Sequence, residues 1–207
     1  MPPLASMTRR SRIPDLAQRC PACFFRPEEC LCPACLPPAQ TRTRFLLLRH
    51  VSERLRPTNT ARWAALALSE ARLVDYGARG ALLDEAPLAL PGTCVLWPGA
   101  AAPLAAPPRQ VVVVDASWSQ ARRMLQRIPA LRELPRLSLP APPEGSLRLR
   151  EPPVADGMST LEAVARTLEL LGEPAAAAKL DRIHALSVER GLRLRMGPDY
   201  ASLARTG

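Results

Sequence analysis

The sequence predicts an α/β fold, a parallel sheet flanked by helices, with a small cysteine cluster on its N-terminal side. Three observations carry this reading. Val111-Val112-Val113-Val114 is a run of four β-branched residues, the composition of a strand covered on both faces. A second apolar run, Phe45-Leu46-Leu47-Leu48, has the same character, and stretches with apolar residues at helical spacing follow both. With 207 residues, 47% of them apolar, the chain can bury one good-sized α/β core plus an appendage, but not two large domains.

Residues 1–19 are polar and basic without a period, and are expected to form a flexible basic tail. Residues 20–40 hold five of the six cysteines among several prolines, too irregular for helix or central strand. The α/β domain is expected over 41–207. In it, Phe45 to Leu48 reads as a strand ending at Arg49-His50, followed by a helix from Asn59 or Thr60 with Trp63, Leu66, Ala67 and Leu73 as its apolar face. Thr93 to Trp97 is a second strand, stopped by Pro98-Gly99, and the Ala/Pro-rich residues Ala100 to Pro108 form a loop before the valine strand. Trp118, Ala121, Met124, Leu125 and Ile128 form a buried helical stripe. Pro140 to Gly145 reads as a turn and Leu147 to Arg150 as a short strand. Ser159-Thr160-Leu161-Glu162 fits a capping box, followed by Val164, Ala165, Leu168 and Leu171 at helical spacing. A last basic helix spans about Ala175 to Arg190 or beyond.

Cys20-x2-Cys23 with Cys30-x-Cys32 places four soft ligands within 13 residues, the donor set of a structural zinc site, and Arg19 and Arg26 can offset its excess negative charge. A disulfide framework is the rival, and needs an oxidising compartment for which nothing in the sequence argues. Cys35 could replace Cys32 as a ligand, while Cys94, inside a strand, reads as a small buried hydrophobe.

The net charge of +9 favours a polyanionic partner, and all but one of the 28 basic residues are arginine, Lys179 being the exception. No stretch of 18 apolar residues occurs, and Arg9-Arg10 leads into a polar segment rather than an apolar signal, so no membrane association and a cytoplasmic location are expected.

Asp115 follows the valine strand directly, at the carboxyl end where ligands collect in α/β sheets. It has two readings: an N-cap accepting the Trp118 N–H, or a functional acid.

Together these segments resemble the DTW-domain family, the tRNA-uridine aminocarboxypropyltransferases, from Cys20 to Glu173. The matching pieces are Cys20-Pro-Ala-Cys23 with Arg26-Pro27 and Cys30-Leu-Cys32; His50 with Glu53; Asn59-Thr60-Ala61; Leu96-Trp97-Pro98; Asp115-Ala-Ser-Trp118 with Gln120-Ala121; and Ser159-Thr-Leu-Glu-Ala163. Ser117 stands where the family signature has threonine, and keeps the hydroxyl.

The resemblance implies a SPOUT-like sheet, residues 41–207 as the DTW catalytic domain, and transfer of the 3-amino-3-carboxypropyl group from S-adenosylmethionine to N3 of a tRNA uridine, releasing methylthioadenosine. It implies donor binding by Asn59, Thr60, Leu96, Trp97, Pro98, Asp115, Ser159, Thr160 and Leu161, while zinc at Cys20, Cys23, Cys30 and Cys32 rests on the cysteine spacing. Asp115, Ser117 and Trp118 are the catalytic candidates. Asp115 can act either as the base that takes the uracil N3 proton or as a group that only binds. Burial beside Trp118 would raise its pKa and inward-pointing Arg122 and Arg123 would lower it. Arg123 and Arg127 share a helix face and are the candidates for RNA phosphates. His50 and Glu53 are expected to bond each other, and His184 to be a half-buried structural residue. A methyltransferase and a zinc-stabilised RNA-binding module without chemistry remain as alternatives.

Overall fold

A computed structural model describes residues 17–99, 103–141 and 157–196, with side chains of the last helix described to residue 191. Its strands are β1 (Arg44–His50), β2 (Ala71–Tyr76), β3 (Thr93–Leu96), β4 (Gln110–Asp115) and β5 (Arg136–Leu137). They form one sheet in the order β2-β1-β4-β3-β5, and every neighbouring pair is parallel. The helices are α1 (Cys32–Cys35), α2 (Thr60–Ala67), α3 (Trp118–Arg127), α4 (Pro129–Glu133), α5 (Thr160–Leu170) and α6 (Pro174–Met196).

Alternation along the strands divides the apolar residues between two faces. Phe45, Leu47, Val111 and Val113 share a core with Trp63 of α2, Leu161 and Leu168 of α5, Leu180 of α6, and Cys23, Phe25 and Leu31 of the cysteine segment. Leu46, Leu48, Val95 and Val112 pack on the other face against Met124, Leu125, Ile128 and Leu131. The central strands are buried on both sides, which is why their sequences read as continuous apolar runs.

The chain leaves β1 through α2 toward β2 and leaves β4 through α3 on the opposite face. The carboxyl ends of β1 and β4 therefore flank the point where the strand order reverses, the usual position of a ligand crevice. Glu173, just past α5, fastens this layer: its carboxylate accepts from Arg42 N, Thr43 N and Thr43 Oγ1 at the entrance to β1.

Several elements differ from the sequence expectation. Leu73 is not on the α2 face, because α2 stops at Ala67 and Leu73 lies in β2. That edge strand is only half-buried, so it carries no apolar run to mark it. β5 has two residues and likewise leaves no periodic trace. Asp115 does not cap α3; Ser117 holds that position. The expected loop is described from residue 103 and is irregular there, and the expected turn is described to Ala141. The expected tail at 1–16 and strand at Leu147 to Arg150 lie outside the described residues.

Candidate functional site

A cleft of about 280 Å³ opens at the carboxyl ends of β3 and β4. Leu96, Trp97, Pro98 and Gly99 follow β3 into one wall; Val113, Val114 and Ala116 form the floor, and Trp118 and Ala121 come from α3. Met158, Thr160 and Ala163 close the side toward α5, with Leu139, Pro140 and Ala141 at the rim. The Trp97 and Trp118 rings meet edge to face, 6.4 Å apart at 80°. The expected Leu96-Trp97-Pro98 loop, Trp118 and Thr160 thus converge on one cavity, mostly apolar with few polar groups, as small-molecule sites are.

Asp115 is not part of that lining. It lies behind Thr160, 7% exposed, and both its oxygens are engaged. Thr160 Oγ1 donates to Oδ1 at 2.6 Å, and Asn59 Nδ2 donates to Oδ2 at 2.5 Å. Asn59 is itself fixed, because its Oδ1 accepts the Arg62 N–H as the cap of α2 and also accepts from Arg49 Nη1. Arg49 Nε in turn donates to Asp75 Oδ1 at 2.7 Å. Strand register creates this line of groups: Arg49 on β1 stands directly between Asp75 on β2 and Asp115 on β4.

Burial dominates the protonation of Asp115 and raises its pKa against the opposing pull of the Thr160 and Asn59 hydrogen bonds. Glu53 adds to the rise, and Arg49 is the cation opposing it. Arg122 and Arg123 point outward, so the expected contest with them does not arise. Arg62, stacked 3.3 Å over the Phe24 ring, is pushed down to about 10 by its own burial and by Arg49.

The remaining candidates are distributed around this centre. Ser117 is exposed, and its N–H and Oγ both donate to Gln120 Oε1, which closes the first turn of α3. Ser159 and Glu162 form the expected capping box on α5. Leu161 is a core residue whose N–H donates to Thr60 Oγ1, joining the starts of α5 and α2. Arg123 and Arg127 are exposed on α3. His50 pairs with Ser52 at 2.8 Å, and Glu53 bridges to Arg56. His184 is half-buried, 3.5 Å from Glu162 Oε2.

The sulfurs of Cys20, Cys23, Cys30 and Cys32 lie within 4.8 Å of one another. Cys20 and Cys32 are 3.6 Å apart, as are Cys23 and Cys30. Tetrahedral zinc with bonds of about 2.3 Å requires sulfurs about 3.8 Å apart, so the donor set and its spacing fit that ion. The Leu31 N–H reaches the Cys23 sulfur at 3.4 Å, the kind of contact that stabilises a thiolate ligand. Cys35 faces the core, where burial pushes its thiol up to about 12, and burial pushes Cys94 up to about 11. Neither has the low pKa of a reactive thiol. The cluster is anchored by Trp63 Nε1, which donates to Cys23 O at 2.9 Å, and by Arg190, which donates to Cys30 O at 2.6 Å and pairs with Glu29.

Residues 17–192 match the DTW domain across the cluster, the sheet, the cleft and most of α6. The chain belongs to the DTW domain family. It is also similar to tRNA-uridine aminocarboxypropyltransferase 2 of Drosophila melanogaster, 29% identical over 176 residues, which covers 76% of this chain and 68% of that one. No solved structure matches it. In the DTW signature here, Asp115 ends β4 buried against Asn59 and Thr160, while Ala116 and Trp118, just beyond the strand, line the cleft. In the sequence Arg49 marks only the end of its strand, although a charged residue closing the inward-facing positions of an apolar strand is a readable signal; Asp75 leaves no such mark.

Proposed function

We propose that this DTW protein transfers the 3-amino-3-carboxypropyl group of S-adenosylmethionine to N3 of a uridine in tRNA. The observation that carries the reading is the two-indole cleft at the carboxyl ends of β3 and β4, backed by the sealed Asp115. The donor's sulfonium suits indole faces through cation–π attraction, and the Leu96-Trp97-Pro98 loop, Thr160 and Ala116 bound the space around it. All three carbons on a sulfonium are activated, so the group transferred is the one held in line at about 3–3.5 Å from the nucleophile. Asn59, Thr60, Ser159 and Leu161 act from behind the wall, fixing the two helix starts that carry Thr160 and Asp115's partner.

The nucleic-acid strand is assigned to the exposed arginine face of α3, where Arg123 and Arg127 stand a short distance along the helix from Trp118. Phosphate contact there makes affinity fall steeply with salt. Zinc at Cys20, Cys23, Cys30 and Cys32 would be structural, tying the cysteine segment to α2 and α6 through the Cys23 and Cys30 carbonyls.

Purified protein incubated with S-adenosylmethionine and unmodified tRNA should release methylthioadenosine and add an aminocarboxypropyl group to uridine, read by nucleoside mass spectrometry. Release of S-adenosylhomocysteine with a methylated nucleoside would replace the reading with methyl transfer. Absence of donor binding in calorimetry at millimolar donor would replace it with RNA binding alone.

A further inference from the structure

We propose that Thr160 Oγ1 is the atom that takes the proton from the nucleophile in the cleft, handing its own proton to Asp115 Oδ1. The acid then works through the threonine and never touches the substrate. The proposal rests on the transfer reaction above and supplies a path for the proton that this reaction sheds.

The geometry points to Thr160 because it alone, of the two, reaches both sides. It lines the cleft, and its hydroxyl donates to Asp115 at 2.6 Å. Asp115 is 7% exposed and absent from the lining. A hydroxyl has one hydrogen and two acceptor positions; with the hydrogen committed to Asp115, what Thr160 offers a ligand is an acceptor. The other Asp115 oxygen is held by Asn59, whose amide cannot turn over: its Oδ1 already accepts from the Arg62 N–H and from Arg49. Asn59 is thus a positioning residue that leaves Oδ1 as the oxygen facing the route to the cleft.

The bonds balance. The uracil N3–H bond breaks and its proton joins Thr160 Oγ1, while the Thr160 O–H bond breaks and that proton joins Asp115 Oδ1. The N3 electron pair forms the bond to the propyl carbon, and the carbon–sulfur pair stays on sulfur as a neutral thioether. A sulfonium cation and a carboxylate are both neutralised, which a dry site favours. After product release the proton returns through Thr160 to water.

The test compares Thr160→Val, which keeps the shape, with Thr160→Ser, which keeps the hydroxyl, in single-turnover assays of methylthioadenosine release. Valine should lower the rate about 10²- to 10⁴-fold, the usual worth of a positioned proton acceptor, a loss far larger than any change in donor affinity by calorimetry. Serine should restore most of the rate. The valine variant should also regain rate as pH rises, since a deprotonated uracil needs no relay. Arg49 from β1, Glu53 from the turn after it, Arg62 from α2 and Asn59 face Asp115 in every variant, so a changed profile reports on Thr160. For the unaltered protein, a proton inventory in mixed light and heavy water should curve, as two protons in flight require. A linear inventory, equal losses for valine and serine, or a loss confined to donor affinity overturns the relay. An unaltered protein that releases no methylthioadenosine overturns the transfer reading and the relay together; an active one indifferent to Thr160→Val overturns the relay alone.

Discussion

The four-thiol cluster and the Asp115 network solve opposite problems with opposite economies of sequence. Cys20, Cys23, Cys30 and Cys32 come from one short segment, exposed enough that three of the four are only partly buried. The network draws Asp75, Arg49, Asn59, Asp115 and Thr160 from five separate segments, and closes them inside the sheet's carboxyl edge. The cluster lacks an apolar core of its own, and its four sulfurs stand close enough together to share one ion. The network is held by the core around it, and spends stability to keep polar groups dry. The difference predicts what each will do when disturbed.

The largest effect is expected at the cluster. Structural zinc in small domains binds with roughly 10–16 kcal/mol at neutral pH, so its loss should outweigh any single side-chain change elsewhere. Cys23→Ser, or prolonged chelation, should remove about one zinc per chain by mass spectrometry and lower the melting temperature more than any substitution below. Melting unaffected by chelation would show that the thiols are not a metal site and dissolve the contrast.

Next comes the hub of the network. Asn59→Ala removes a donor from Asp115 and an acceptor from Arg49, both buried, and also the cap of α2. Each buried group left unpaired costs about 1–3 kcal/mol, so a total of about 3 kcal/mol is expected in denaturant unfolding, without loss of zinc. A cost below about 1 kcal/mol, the range of an exposed cap, would mean that water satisfies these groups.

A third experiment reads the network through pH. Burial raises the Asp115 pKa above its unfolded value near 3.9, so between the two values the folded state binds more protons than the unfolded state. This contribution therefore favours the fold at low pH and is lost as pH climbs from about 4 through the folded pKa. Asp115→Asn, neutral throughout, should gain stability relative to the unaltered protein as pH rises through that window, and the gain should level off above it. A difference independent of pH would indicate that Asp115 is ionised and fully compensated by Arg49.

The same contrast explains what the sequence made legible. The cysteine spacing is local, so the cluster could be read off directly, and the valine run and the Ser159 capping box marked β4 and the start of α5. Asp115 stood out because a strand and a helix meet beside it. Its partners did not, because Arg49 and Asp75 become neighbours only through the pairing of β1 with β2 and β4, and β2 is an edge strand without an apolar signature. The N-cap reading of Asp115 failed for the same reason: a local rule was applied to a residue whose partners are distant, while Ser117 was free to cap.

One residue belongs to both regions, and it should give the smallest effect with the sharpest meaning. Trp63, fully buried in α2, donates its indole N–H to Cys23 O, and α2 is the helix whose first turn Asn59 caps. Trp63→Phe keeps most of the ring packing and leaves that carbonyl without its donor. The lost bond should cost about 1–2 kcal/mol in unfolding, with zinc stoichiometry unchanged. Combined with Asn59→Ala, the two losses should exceed or fall short of their sum by at least about 0.5 kcal/mol if α2 joins cluster and network rigidly, because coupled sites are not additive. Strict additivity would mean that the cluster and the Asp115 network share a core but not a mechanical connection.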